Sequence, residues 1–305
     1  MDGCIGYKII IDGLMSKTVL ITGCSSGFGL ISAVRLSSQG YNVYSSMRDL
    51  SKCNDLQLEL DRMGANCHII ELDVCDDNSI QKAIKKITEK ESKLDILINN
   101  AGYGIGGFFE DLSEKEIRDQ FETNFFGVQK VTRAALPLMR KTAKESMDMF
   151  STKIINISSA QGRSALPGLG AYGSSKFALE GFSEGLNFEL YPFGIEVILL
   201  EPGTYYTKAI DENSKEAARG ADLNSPYYKF SNRLKGLHSK LLDARKGVGD
   251  PEDVAIIIER IIKRKKNKLR YLAGAQAKIR VGLRSLLPFN LFRKIILKLT
   301  MGIAK

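Results

Sequence analysis

Tryptophan is absent from the 305 residues and histidine occurs only twice. The five cysteines, Cys4, Cys24, Cys53, Cys67 and Cys75, form no C-x-x-C pair. Zinc sites need closely spaced Cys and His ligands, so no metal is expected. An odd, scattered set of cysteines reads instead as free thiols in a reducing cytosol. No stretch reaches the ~18 uninterrupted apolar residues of a membrane span, and the longest candidate, Val254 to Ile262, is broken by Glu259 and Arg260. A signal peptide is not expected either. Lys8 and Asp12 interrupt a short apolar run, and no small-residue cleavage site follows. Residues 1–15 therefore read as an N-terminal extension before the first strand.

One further absence is local. The last 46 residues, from Arg260 to Lys305, contain no Asp or Glu but fourteen Lys and Arg. The formal charge of +9 thus divides into a mildly acidic body and a basic tail. A chain basic throughout would suggest nucleic acid; this division does not, and no nucleic-acid partner is expected. Hydrophobic residues at 44% and charged residues at 26% exclude a disordered chain.

Apolar strand-like runs alternate with helical segments. Thr18–Thr22, Asn42–Ser46, Cys67–Leu72, Leu94–Ile98, Lys153–Ile157 and Glu196–Leu200 read as strands. Leu30–Gln39, Ser79–Glu91, Glu114–Leu138, Tyr172–Glu189 and Asp253–Arg264 read as helices. Continuous apolar strands separated by helices predict an α/β fold with a parallel sheet covered on both faces. Residues 204–249 break the rhythm with several aromatics among polar residues, and fit a partly helical lid.

The first strand runs into Gly23-Cys24-Ser25-Ser26-Gly27-Phe28-Gly29 and then a helix. Gly23 and Gly27 allow a tight turn, Gly29 lets helix and strand pack, and the helix N-terminus offers N–H groups to a pyrophosphate. An acid some 20 residues further on suits the ribose of NAD, whereas an arginine suits the phosphate of NADP. The second strand ends Arg48-Asp49. Arg48, with Ser26, favours NADP(H) over NAD(H), with Asp49 as the counter-argument.

Tyr172 and Lys176 stand four apart on a predicted helix and so share a face. A free phenol titrates near ~10, and a neighbouring ammonium lowers that value toward the range useful for proton transfer. Tyr172 can then give its proton to a carbonyl oxygen, with Ser159 bonded to the same oxygen. Ser158 is the neighbouring alternative.

Thr22-Gly23-x-x-x-Gly27-x-Gly29, Asp73, Asn99-Asn100-Ala101-Gly102, Asn124, Ser159, Tyr172-x-x-x-Lys176 and Pro202-Gly203-x-x-x-Thr207 together resemble the short-chain dehydrogenase/reductase pattern, in its order and spacing. The resemblance spans residues 16–210 and, more weakly, 250–272. It implies a single-domain Rossmann fold over residues 16–272, a doubly wound parallel sheet of seven strands, a homodimer or tetramer, and nicotinamide-dependent redox chemistry. It assigns Asn124, Ser159, Tyr172 and Lys176 to catalysis, with Asn124 in a proton relay ending at Lys176. It assigns Gly23, Ser25, Ser26, Gly27, Phe28, Gly29, Asp73, Val74, Asn100, Ala101, Gly102, Pro202, Gly203 and Thr207, with Tyr172 and Lys176, to cofactor binding. Arg48 joins them through the strand-end reading.

Several segments, among them TGCSSGFG (22–29) and SKFALEGFSEGL (175–186), are similar to the 17β-hydroxysteroid dehydrogenase type 1 and retinol dehydrogenase subgroup. That similarity implies a hydrophobic ketone or secondary alcohol as substrate, held by Ser159, Tyr172 and the lid residue His238. The expected activity is NADP(H)-linked reduction. The alternatives are an NAD(H)-linked retinol or lipid-alcohol dehydrogenase and a non-catalytic dinucleotide sensor or membrane scaffold.

Residues 273–305 form a basic tail with two amphipathic helices. Ala275–Leu287 gathers Ile279, Leu283, Leu286 and Leu287 on one side, with Lys278, Arg280 and Arg284 elsewhere; Leu291–Met301 repeats the pattern. Such helices lie in an anionic membrane interface or cap the core. The expected location is cytoplasmic, with peripheral membrane contact through 275–301.

Overall fold

Val19 and Ile21 of strand β1 (Thr18–Ile21) enter one hydrophobic core, while Leu20 between them enters another. The same alternation, Ile96 and Ile98 against Leu97, runs through β4 (Ile96–Asn99). Side chains of a strand alternate between faces, so wholly apolar strands need cover on both. The computed structural model describes residues 16–205, 214–243 and 249–303. The N-terminal extension 1–15 and Thr207 lie outside the described residues.

Seven parallel strands form the main sheet in the order β3-β2-β1-β4-β6-β7-β9. The remaining members are β2 (Asn42–Met47), β3 (His68–Glu71), β6 (Thr152–Ile157), β7 (Ile195–Pro202) and β9 (Arg270–Ala273). On one face lie α1 (Gly27–Ser38), α2 (Asn54–Arg62) and α8 (Pro251–Lys263), the last burying Val254, Ile258, Ile261 and Ile262. On the other lie α3 (Asp77–Glu91), α5 (Gly127–Glu145) and α6 (Gly170–Leu190). The result is the doubly wound Rossmann-type α/β sheet expected. Strand order reverses between β1 and β4, the switch point that opens a crevice at the carboxyl ends of the strands.

Local chemistry sets the helix ends. Asp76 caps α3 by accepting from the Asn78 N–H, and Ser113 with Glu116 makes a capping box on α4 (Glu114–Phe121). Arg35 of α1 donates at 2.6 Å to both Glu252 and Glu259 of α8, which fixes this pair of helices to each other.

Three features depart from the reading of the sequence. Helix α2 was not anticipated, although Leu56 and Leu60, four apart, are its buried stripe. The long helix is interrupted between α4 and α5 by a π-helical turn, Glu122–Phe126. A small parallel pair, β5 (Gly104–Gly106) with β8 (Ser214–Glu216), joins the 204–249 segment to the edge of the crevice. That segment also contains α7 (Tyr228–Asp243).

The tail forms α9 (Ala275–Leu286) and α10 (Phe289–Thr300), close to the expected spans. Ala277 and Val281 of α9 and Phe292 of α10 are buried, whereas Ile279, Leu283, Leu286, Leu291 and Leu299 are exposed. Small side chains let α9 approach the body closely, which the bulkier leucine stripe would prevent. Arg233 of α7 donates to the Thr300 carbonyl at 3.2 Å, so lid and tail are in contact.

Candidate active site

The glycine turn is held from beneath. Asn100 Nδ2 donates at 2.9 Å to the carbonyl oxygens of both Thr22 and Gly23, and the Thr22 hydroxyl accepts from the Asn100 and Ala101 N–H groups at 3.0 Å. Gly23 and Gly27 adopt positive φ of 73° and 59°, a region costly for other residues. A Cβ on Gly29 would stand 2.2 Å from the Gly23 oxygen. Ser26 precedes α1 without a side-chain cap on it, and its first turn carries no acid. A cradle with no room for side chains, facing uncapped helical N–H groups, fits a pyrophosphate. Ser25 and Phe28 stand half-buried in this turn.

Further groups surround the crevice. Arg48 is exposed just beyond β2, while Asp49 turns away and accepts from the Ser51 N–H and hydroxyl at 3.0 and 2.7 Å. Those two bonds hold the Asp49 carboxyl below its ordinary range. Asp73 accepts from the Cys75 N–H at 2.9 Å, and Val74 is buried against Gly127. Pro202 ends β7, and Gly203 donates to the Ala273 carbonyl at 2.9 Å.

Tyr172, near the start of α6, is half-buried with its ring against Gly104 of β5. Ser159 follows β6, accepts from the Gln161 N–H at 3.1 Å, and lies within 3.5 Å of the Pro202 carbonyl. Burial pushes the Tyr172 phenol up, while the Ser159 hydroxyl and the Arg280 charge pull it down. Ser159 is thus the serine that bears on the phenol. Ser158 is buried with its hydroxyl unpartnered.

Lys176 donates to the Ile157 carbonyl at 2.8 Å, and its Nζ lies 5.9 Å from the centroid of the Tyr172 ring. Burial lowers its ammonium to about 8, with Glu180 opposing. The ammonium bonds a carbonyl and is itself poorly solvated, and the Arg280 charge also favours the ionised phenol.

Asn124 sits in the π-helical turn, where the extra backbone residue re-aims a side chain. It is fully buried; Oδ1 accepts from Tyr103 N–H at 3.0 Å, and Nδ2 donates to the Tyr103 carbonyl at 2.8 Å and to Ser175 at 3.2 Å. A Cβ on Gly102 would stand 3.0 Å from Asn124 Oδ1 and 3.8 Å from Lys176 Nζ, so both polar groups converge on that glycine.

His238 is not brought to this cluster: it is exposed midway along α7 and makes no hydrogen bond, ion pair or ring contact among the described residues. The lid wall is aromatic instead. Phe108 stacks on Tyr227 at 4.6 Å, and Tyr227 donates to Glu110 at 2.7 Å. Phe28 meets the buried Tyr205 edge-on at 5.4 Å. Arg280 is the residue that reading the sequence missed. Its place one turn beyond Ala277 is a usable signal only once the small-residue face of α9 is recognised as the seated one. Among the described residues, no group of three His, Cys, Asp or Glu could hold a metal ion.

Comparison with known proteins bears on this cluster as a whole. Residues 17–218 match the family model described as short chain dehydrogenase. The chain is 37% identical over 285 residues to the uncharacterized oxidoreductase YusZ of Bacillus subtilis, covering 92% of this chain and 98% of that protein. It is also 37% identical over 261 residues to a 3-ketodihydrosphingosine reductase of Bacteroides thetaiotaomicron, covering 86% and 89%. Among solved structures, a short-chain dehydrogenase from Streptomyces avermitilis superposes with a TM-score of 0.73 at 30% identity, covering 92% of this chain and 99% of that one.

Proposed function

Because this chain belongs to the short-chain dehydrogenase family, an oxidoreductase family acting on alcohols and ketones, we propose that it is an NADP(H)-dependent reductase of hydrophobic ketones. The observation that carries this reading is the convergence of Ser159 and Lys176 on Tyr172, at the same end of the sheet as the glycine cradle. A nicotinamide dinucleotide held there supplies the hydride, or accepts it in the reverse direction. Gly23 to Gly29, Asp73, Val74, Asn100 to Gly102, Pro202, Gly203 and Lys176 hold it, with Thr207 following in sequence.

Tyr172 gives its phenolic proton to the carbonyl oxygen as the carbon is reduced, and takes it back from the alcohol. Ser159 bonds the same oxygen and steadies its growing charge. Lys176, with Asn124 beside it across Gly102, passes the replacing proton inward from water. Arg48 binds the phosphate that distinguishes NADP(H), since Asp49 is occupied by its own turn. An apolar substrate is supported by the aromatic lid wall and by the sphingoid ketone in the name of one relative.

Peripheral contact with an anionic membrane surface is supported by the tail. Ile279, Leu283, Leu286, Leu291 and Leu299 are exposed beside Lys278, Arg293, Lys294 and Lys298. Among the described residues, no helix is long and apolar enough to cross a membrane. Self-association into a dimer or tetramer is supported by exposed Phe177 and Phe188 on α6.

Turnover of a panel of long-chain ketones and matching alcohols, run with NADPH, NADH and their oxidised forms, tests the function. Ketone reduction with NADPH is expected. Preferential alcohol oxidation with NAD would favour a lipid-alcohol dehydrogenase instead.

A further inference from the structure

The tail helix carries a cation into the catalytic crevice. Ala277 and Val281 of α9 pack with Ala160 and Leu272, and a Cβ on Gly203 would stand 3.0 Å from the Ala277 Cβ. The seated face of α9 therefore lies on the turn after Ser159 and on the strand end that carries Pro202. Arg280 is three residues from Ala277, so it borders that face. It is half-buried, its Nε is buried without a hydrogen-bond partner, and its charge acts on Tyr172.

Among the described residues, no acid forms an ion pair with it. Residues 260–305 contain no acid. The buried acids behind the site pair with other arginines, Glu180 at 2.8 Å with Arg270, and Glu201 at 3.5 Å with Arg163 and 3.6 Å with Arg270. A guanidinium donor taken out of water without an acceptor is unfavourable unless another group completes it. The phenol offers one oxygen, already served by Ser159, whereas a guanidinium edge presents two parallel N–H groups. That fork matches a carboxylate.

We infer that Arg280 binds a carboxylate on the substrate, close to the reacting carbon, so that the substrate class is an apolar keto acid and its hydroxy acid. This deepens the proposed function and rests on Tyr172 being the proton donor. No covalent step is added; the carboxylate is a handle that places the carbonyl oxygen at Tyr172 and Ser159.

The test uses the full chain, with medium-chain 3-oxo acids against their methyl esters as substrates. A charge-assisted bond predicts that the wild type prefers acid over ester by about 10- to 100-fold in kcat/KM. Arg280→Gln is expected to collapse that ratio toward one, mainly through KM for the acid, while Arg280→Lys keeps part of it. An unchanged ratio, or a wild type without preference, overturns the proposal, even if both activities fall in the variant. Binding of dodecanoate by calorimetry needs no turnover, and is expected to weaken about tenfold or more in Arg280→Gln. Equal binding also overturns the carboxylate site. Arg280-dependent dodecanoate binding by an enzyme that reduces no ketone would instead overturn the role of Tyr172 and leave the carboxylate site standing.

Discussion

Asn100 Nδ2 donates at 2.9 Å to the Gly23 carbonyl oxygen, the same oxygen that a Cβ on Gly29 would approach to 2.2 Å. The turn is thus clamped on one side and has no room on the other. Gly29→Ala must displace backbone, and is expected to cost about 1–3 kcal/mol of stability and to weaken dinucleotide binding at least about tenfold. Gly181→Ala, at an open position in α6, is expected to stabilise by about 0.5–1 kcal/mol. Urea unfolding and fluorescence titration of the two variants check the contrast.

Cofactor preference turns on two neighbouring residues, an exposed Arg48 and an Asp49 whose carboxyl is taken up by Ser51. Arg48→Ala is expected to weaken NADPH relative to NADH by about tenfold or more. Asp49→Ala removes the cap on the Ser51 N–H but is expected to leave the NADPH-to-NADH ratio within about twofold, with a small loss of stability. Dissociation constants for both cofactors decide this; a ratio that moves with Asp49 and not with Arg48 would reverse the assignment.

Burial brings the Lys176 ammonium from 10.5 down to about 8 in the cofactor-free protein. Between those values the unfolded chain binds the extra proton, so this residue makes stability rise with pH across the window. Its penalty is full below about 8 and gone above about 10.5. The unfolding free energy of the wild type minus that of Lys176→Met should therefore increase by about 3 kcal/mol from pH 8 to 10.5. A flat or falling difference, measured by chemical denaturation, contradicts the buried ammonium.

For the tail, Leu286→Glu and Leu299→Glu replace exposed side chains and should alter folding stability by no more than about 0.5 kcal/mol. Both are expected to reduce sedimentation with phosphatidylserine-containing vesicles several-fold. Vesicle binding equal to that of the wild type would remove the membrane reading.

Much of the fold was legible because its signals are local. Thr18–Ile21, the glycine turn and α1 are contiguous, and Tyr172 with Lys176 needs only helical spacing. The π-helical turn at Asn124 left no mark in the apolar pattern, since one inserted residue shifts it by less than a third of a turn. Strands β5 and β8 are three residues each, too short for periodicity and paired across distant parts of the chain. In the tail, periodicity shows an apolar stripe but not what covers it: close approach to Gly203 seats Ala277 and Val281, and the larger side chains stay exposed. His238, matched by motif alone, is exposed on α7.

Proton donation by the Tyr172 phenol is tested by single-turnover reduction of a long-chain ketone by Tyr172→Phe, with NADPH affinity measured on the same preparation. The expected rate is lower by about 10²- to 10⁴-fold, with NADPH affinity within about threefold of the wild type. A variant that reduces ketone within about tenfold of the wild-type rate would contradict it.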